Sequence, residues 1–357
     1  MKIDSILQED MEFIANSNLP FEQLQGKTVF ITGATGLIGS QLVRSLAWCN
    51  RKHGLEMKII ALIRNLDKAI SILGDLSAHG VAFLKGDVTD SNMRTVTDIS
   101  HIDYIIHAAS ITASKAMIEH PTDLIRTSIE GTQNMLELAK NKGCSSFIYI
   151  SSMEVYGSFA ESKYVSEDDM GYVNPLMVRS NYPLGKRMCE NMCIAYASEY
   201  HVPVRIARLS QTFGAGILPG ENRVFAQFAR SVINESDIIL HTKGLSEGNY
   251  CYTRDTISAI ILLMVKGENE QAYNISNDEC HTTISSMAKM VAERIADNRI
   301  KVIFDIPESN VFGYANDTKM KLNTSKIRSL GWNPSVNLEE AYRRLICSIK
   351  ESEGCED

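Results

Sequence analysis

Three glycines spaced three residues apart, Gly33, Gly36 and Gly39, stand directly between an apolar, β-branched run at 27–32 and a stretch of helical periodicity at 37–49. A chain can pass from a buried strand into a helix over so few residues only through a tight turn. The first glycine permits that turn, the second lets the backbone approach an anion, and the third lets the helix close on the strand. Thr35, Leu37 and Ile38 complete the turn and the first helical turn, whose N–H groups point outward without partners. The pattern predicts a strand–turn–helix that seats the pyrophosphate of a dinucleotide on residues 33–39.

The same strand-then-helix rhythm repeats. KIIALI at 58–63, VAFL at 81–84, YIIHAA at 104–109, FIYIS at 147–151 and VRIARL at 204–209 read as buried strands, with helical stretches between them at 134–140 and 182–200. Alternation of this kind predicts an α/β fold: a doubly wound, parallel Rossmann sheet with right-handed crossovers. After about residue 211 the rhythm gives way to glycine-rich loops, a helix near 224–232 and a C-terminal helix at 338–348. We therefore expect an N-terminal helical extension over 1–26, a dinucleotide-binding domain over 27–210, and a smaller α/β C-terminal substrate-binding lobe over 211–357. Segments near 256–276 are expected to return to the main sheet. A length of 357 residues suits this plan, since domains run to roughly 150 residues each.

Composition excludes several alternatives. The net charge of −7, with no long Lys/Arg run, argues against nucleic acid as a partner, because phosphate recognition needs a basic patch. The most apolar stretch, 257–265, is about half of the roughly 20 residues that cross a bilayer, so no membrane span is expected. Asp4, Glu9, Asp10 and Glu12 occupy the place of a signal-peptide core, which predicts a cytoplasmic protein. The eight cysteines form no C-x-x-C pair and read as buried, reduced thiols. Cys189 and Cys193 lie one helical turn apart but lack further ligands, so no metal is assigned.

The residues ending the second strand bear on the cofactor. NAD is usually held by an acid there, whereas this chain has Arg64. Arg64 suits the 2′-phosphate of NADP, while Asp67, three residues on, suits NAD. Both NAD and NADP stay open, with NADP favoured by this local chemistry.

Tyr182 and Lys186 are spaced i, i+4 and so share one helical face. A phenol with an ordinary pKa near 10 is a poor base, but a neighbouring ammonium and a positive nicotinamide ring favour the phenolate. Tyr182 is then positioned to take a hydroxyl proton. Thirty residues upstream, Ser152 in SSMEVYG ends the fifth strand, where its hydroxyl can bond the same reacting oxygen. Glu154 is an accessory acid/base candidate. His107 reads as a packed residue rather than a catalytic one.

TGATGLIG, Asp87-Val88, HAAS at 107–110, SSMEVYG, YPLGK, RLSQTFGAG and LNTSKIRSLGW fall in the order seen in the extended short-chain dehydrogenase/reductases, and the chain resembles their NAD(P)-dependent nucleotide-sugar epimerase/dehydratase family. The resemblance implies a Ser152/Tyr182/Lys186 triad and a tightly bound, recycled NAD or NADP. It places Asp87, Val88, Ala108, Ala109, Tyr182 and Lys186 beside that cofactor. It also implies a substrate sugar linked to a nucleoside diphosphate, with Arg179, Gln211 and Arg223 as contacts, and a homodimer built on the Tyr/Lys helix through Met188, Met192, Ile194 and Tyr196.

Departures from the family pattern narrow the reaction. Met153 stands where 4,6-dehydratases carry an acidic residue, which weighs against dehydration. Glu154 and the Arg179-Ser180-Asn181-Tyr182 string resemble UDP-glucuronate decarboxylases. Gly248 replaces an expected diphosphate-binding arginine, leaving Arg223, Arg254 or Lys321 to supply charge. The leading expectation is an epimerase that oxidises a sugar hydroxyl transiently. Decarboxylation of a nucleotide-linked uronic acid, 4,6-dehydration and NADPH-dependent reduction of a keto sugar are the alternatives, with a non-catalytic dinucleotide sensor as the reading from a different class.

Overall fold

The computed structural model describes residues 4–74, 76, 79–97, 99–218, 220–307 and 317–353. Helix α1 (Ser5–Ala15) is started by Asp4, whose carboxylate accepts from the Leu7 N–H. β1 (Thr28–Thr32) is buried along its whole length, as a central parallel strand should be. α2 (Leu37–His53) starts at Gly36 and stops at Gly54, which takes the left-handed conformation at φ +60°. β2 (Lys58–Ile63), α3 (Leu66–Leu73), β3 (Val81–Lys85), β4 (Tyr104–His107), α4 (Ser114–Glu119), α5 (Pro121–Lys142) and β5 (Ser146–Ser152) continue the alternation. The helix expected at 134–140 is thus the second half of a longer one, opened by Pro121 and closed by Gly143 at φ +59°.

β6 (Lys163–Val165), α6 (Asn181–Tyr200), β7 (Val204–Leu209), β8 (Gln211–Phe213), α7 (Val224–Ile233), β9 (Ile238–Leu240) and β10 (Glu247–Tyr252) come next. They are followed by α8 (Thr253–Lys266), β11 (Gln271–Ile275), β12 (Asn277–Thr283), α9 (Ile284–Met290), β13 (Val302–Phe304), β14 (Met320–Leu322), α10 (Ser325–Ser329) and α11 (Leu338–Glu353).

Seven strands form one sheet in the order β11-β7-β5-β4-β1-β2-β3, and every pair in it is parallel. The chain winds outward from β1 in one direction and then from β4 in the other, so the crevice for a ligand opens at the C-terminal ends of β1 and β4. β11 pairs with β7 from Gln271 to Ile275, so the chain beyond 211 returns to this sheet. A separate core gathers Phe213, Phe225, Tyr250, Tyr252 and Tyr342 beneath α7, α9 and α11. Tyr250 and Tyr252 are 1% exposed and belong wholly to this core.

α1 is clamped between α2, α8 and α11. Asp10, only 5% exposed, accepts from Tyr252 OH at 2.7 Å and pairs with Arg344 at 2.9 Å and Arg254 at 3.3 Å. Arg254 also stacks on Phe13 at 3.9 Å. The Arg254 charge is therefore consumed in holding α1.

Candidate active site

The glycine turn is built against the end of β4. Gly33 has φ +65°, and a Cβ on it would stand 2.6 Å from the Ala108 carbonyl oxygen. A Cβ on Gly39 would stand 2.1 Å from the Gly33 oxygen, so helix and turn approach as closely as backbones can. Gly36 brings no side-chain acceptor to the N-terminus of α2. Thr35, Leu37 and Ile38 are half-buried around that terminus, which fits a pyrophosphate bound by backbone N–H groups.

The strand expected to reach residue 109 ends at His107 because Thr32 captures the next two amides. The Thr32 hydroxyl oxygen accepts from the Ala108 and Ala109 N–H groups, both at 3.1 Å. Its one proton then faces His107 Nδ1 at 2.8 Å, which leaves Nε2–H of His107 to donate to Thr132 at 3.3 Å. Burial, helped by Lys186, pushes His107 down to about 3. It is a neutral strut that aims the 108–109 backbone toward the glycine turn.

Arg64 and Asp87 face one another at 3.8 Å across the ends of β2 and β3. Partial burial pushes the Asp87 carboxyl up, but the Thr89 N–H and hydroxyl and then Arg64 outweigh it, leaving Asp87 below the usual range. Val88 is buried, and its carbonyl accepts from Asn134.

The reacting groups converge from β5 and α6. Ser152 closes β5 and accepts from the Glu154 N–H at 3.2 Å, and its hydroxyl favours the ionised form of Tyr182. Lys186 Nζ donates to the Ile150 carbonyl at 2.7 Å and lies 5.8 Å from the Tyr182 ring centre. Glu154 is engaged by Arg179 at 3.0 Å, and the Arg179 guanidinium lies 5.9 Å from the Tyr182 ring.

The chain's own electrostatics work against the phenolate. Burial, then Glu154, push Tyr182 up to about 12 against Ser152, Arg179 and Arg223, so the chain's own groups do not lower this phenol. Burial likewise pushes Lys186 down to about 8. A phenolate at neutral pH thus needs positive charge beyond what the polypeptide provides.

Of the substrate candidates, Arg223 and Arg179 both act electrostatically on Tyr182. Arg223 is held at the start of α7 by Glu221 at 2.7 Å. Gln211 is exposed at the start of β8, and no contact to the Ser152, Tyr182 and Lys186 cluster is seen. Lys321 is half-buried on β14. At Gly248 a Cβ would stand 2.4 Å from the Tyr250 ring, so the slot expected for an arginine is filled by a tyrosine. Sequence reasoning missed Thr32, which sits inside the glycine motif but acts sideways on β4, and the buried Glu190–Arg208 pair below α6.

A parallel sheet with a glycine turn at its switch point, and a hydroxyl, a phenol and an ammonium gathered beside it, defines a dinucleotide-type α/β protein. The profile of the NAD dependent epimerase/dehydratase family matches residues 29–276, and the chain belongs to that family and is an enzyme of its kind. It is 25% identical over 335 residues to dTDP-D-glucose 4,6-dehydratase of Mus musculus, covering 90% of this chain and 88% of that one. It is 28% identical over 321 residues to UDP-glucuronic acid decarboxylase 1 of Danio rerio, covering 90% and 72%. Among solved structures, the UDP-glucose 4-epimerase of Thermotoga maritima with UDP-glucose superposes with a TM-score of 0.77 at 21% identity, over 91% of this chain and 99% of that one. The dTDP-glucose 4,6-dehydratase of Streptomyces venezuelae with NAD bound gives 0.76 at 22% identity, over 92% and 98%. Among the described residues no helix is long and apolar enough to cross a membrane.

Proposed function

We propose that this enzyme binds NAD and epimerises a sugar carried on a nucleoside diphosphate by transient oxidation of a ring hydroxyl. The observation that carries the reading is the convergence of Ser152, Tyr182 and Lys186 at the end of β5, beside the turn at 33–39. That turn, Asp87 and the 108–109 backbone would hold the dinucleotide, and the family's NAD dependence weighs against the NADP reading of Arg64, whose guanidinium already faces Asp87. Bound NAD supplies a hydride acceptor and a positive ring. Tyr182 takes the hydroxyl proton, Ser152 bonds the same oxygen, and Lys186 provides the ammonium that favours the phenolate. Met153, a buried thioether, cannot protonate a leaving hydroxyl, which counts against dehydration.

Incubation with UDP-, dTDP-, GDP- and CDP-sugars without added cofactor should yield an isomer of one of them, detected by chromatography and mass spectrometry. Conversion of none would refute epimerisation. Tyr182→Phe should cut kcat by about 10²–10⁴, the usual worth of a general base, while leaving NAD bound.

One observation favours a second reading. Arg179 grips a carboxylate, that of Glu154, beside the phenol, and a uronic acid would offer it another. Carbon dioxide release from a nucleotide-linked uronate would decide for decarboxylation. The exposed apolar residues Ile125 on α5 and Met188 on α6 support a homodimer through α5 and α6, which sedimentation of wild type against Met188→Glu would test.

A further inference from the structure

The chain crosses from the main sheet into the lobe between Leu209, where β7 ends, and Arg223, just before α7. Ala215 and Gly216 lie in this crossing outside any helix or strand, so their N–H groups need acceptors from elsewhere. Each finds a hydroxyl. The Gly216 N–H donates to Ser348 Oγ at 2.9 Å, and the Ala215 N–H donates to Tyr252 OH at 3.4 Å. A hydroxyl has a single proton to give, and both of these direct it at α1. Ser348 donates to Asp4 Oδ2 at 2.9 Å, and Tyr252 donates to Asp10 Oδ2 at 2.7 Å. The two carboxylates of α1 therefore decide which way both hydroxyls turn their lone pairs, and hydrogen bonds to an ionised acceptor are the stronger kind.

The same helix reaches both halves of the molecule. Ile14 and Ala15 share the main core with Leu42, Val43 and Leu46 of α2. On the other side, Arg344 of α11 pairs with Asp10, and the Ser5 N–H donates to Glu351 of α11 at 2.8 Å. α11 in turn belongs to the lobe core through Tyr342, Leu345 and Ile346. At the crossing itself the fit is close. Gly216 has φ +73°, and a Cβ on it would stand 2.5 Å from Gln41 Nε2 of α2 and 3.0 Å from Leu7 Cδ1 of α1. Gln41, two residues beyond Gly39 of the dinucleotide turn, also donates to the Ala215 carbonyl at 3.3 Å.

One helix thus grips the dinucleotide half, the lobe and the segment that links them. A ligand held by both halves depends on how they are set against each other, whereas a ligand held on the glycine turn does not.

We infer that α1 is a strap between the two halves, and that Asp4 and Asp10 are positioning residues for the substrate: through Ser348 and Tyr252 they fix the turn at 215–216, and with it the lobe that carries Arg223. The inference rests on the reading that a nucleoside-diphosphate sugar lies between the lobe and the dinucleotide half.

The test uses the full-length, NAD-loaded protein and measures its affinity for UDP, dTDP, GDP and CDP by calorimetry. Ser348→Ala removes one hydroxyl and Tyr252→Phe the other. Each is expected to weaken binding of the preferred nucleoside diphosphate by about three- to tenfold, the usual worth of a hydrogen bond, to leave NAD affinity unchanged, and to speed amide exchange at 215–216. Tyr252→Phe carries the test if Ser348→Ala does not fold. Folded variants that bind the nucleoside diphosphate as wild type does, or that lose NAD in the same proportion, overturn the strap. A wild type that binds none of the four would instead overturn the substrate reading, and this inference with it.

Discussion

At Gly39 the obstacle to a side chain is backbone: besides the Gly33 oxygen, an added Cβ would meet the Ala34 Cα at 2.9 Å. Neither atom can yield without opening the turn that is to receive the pyrophosphate. Gly39→Ala should therefore weaken NAD binding by about tenfold or more, about 1.4 kcal/mol, measured by calorimetry. Gly54→Ala is the matched control. Its Cβ would meet nothing within 4 Å, but Gly54 sits at φ +60°, so the substitution should cost about 1 kcal/mol of stability and leave NAD affinity unchanged. Gly248 shows the opposite use of a glycine, since its missing side chain is what lets the Tyr250 ring lie flat in the core.

The docking of α1 carries a pH signature. Burial pushes Asp10 up to about 6, against the pull of Arg344, Tyr252 and Arg254. A carboxyl whose folded pKa lies above its unfolded value near 3.9 stabilises the native state fully below that value, and this contribution is lost as pH rises through the folded pKa. The Tm of wild type relative to Asp10→Asn should accordingly be highest below pH about 4 and should fall between pH about 4 and 6, as read by scanning calorimetry. How legible each element was follows from its burial. β1, β2, β4, β5 and β7 announced themselves because strands covered on both faces are continuous apolar runs. The three-residue strands β6, β8, β9, β13 and β14 carry too few positions for any period. Tyr182 and Lys186 were visible because one helix sets their spacing, whereas Glu190 and Arg208 come from different elements and meet only once β5 and β7 are paired. Spacing likewise reveals the ammonium near Tyr182 but not the burial that works against the phenolate.

Across the whole molecule, Asn274 joins segments far apart in the chain. Its side chain accepts from Tyr156 OH and donates to the Val165 and Asn323 carbonyls, while its backbone N–H donates to Glu167. Asn274→Ala would strand a buried phenol and two carbonyls, and should lower the free energy of unfolding by about 2–3 kcal/mol, read by urea denaturation. β11, the strand that carries Asn274, also has a bearing on synthesis. β7 is complete at Leu209, but its outer neighbour begins only at Gln271. While the ribosome makes the residues in between, the emerging chain presents β7 as a raw, hydrogen-bonding edge, the surface on which neighbouring chains pair and aggregate. Arg205, on that strand, places a charge at the exposed edge and later bonds the Leu263 and Met264 carbonyls at the end of α8, so the side chain that can guard the nascent edge also helps to close it.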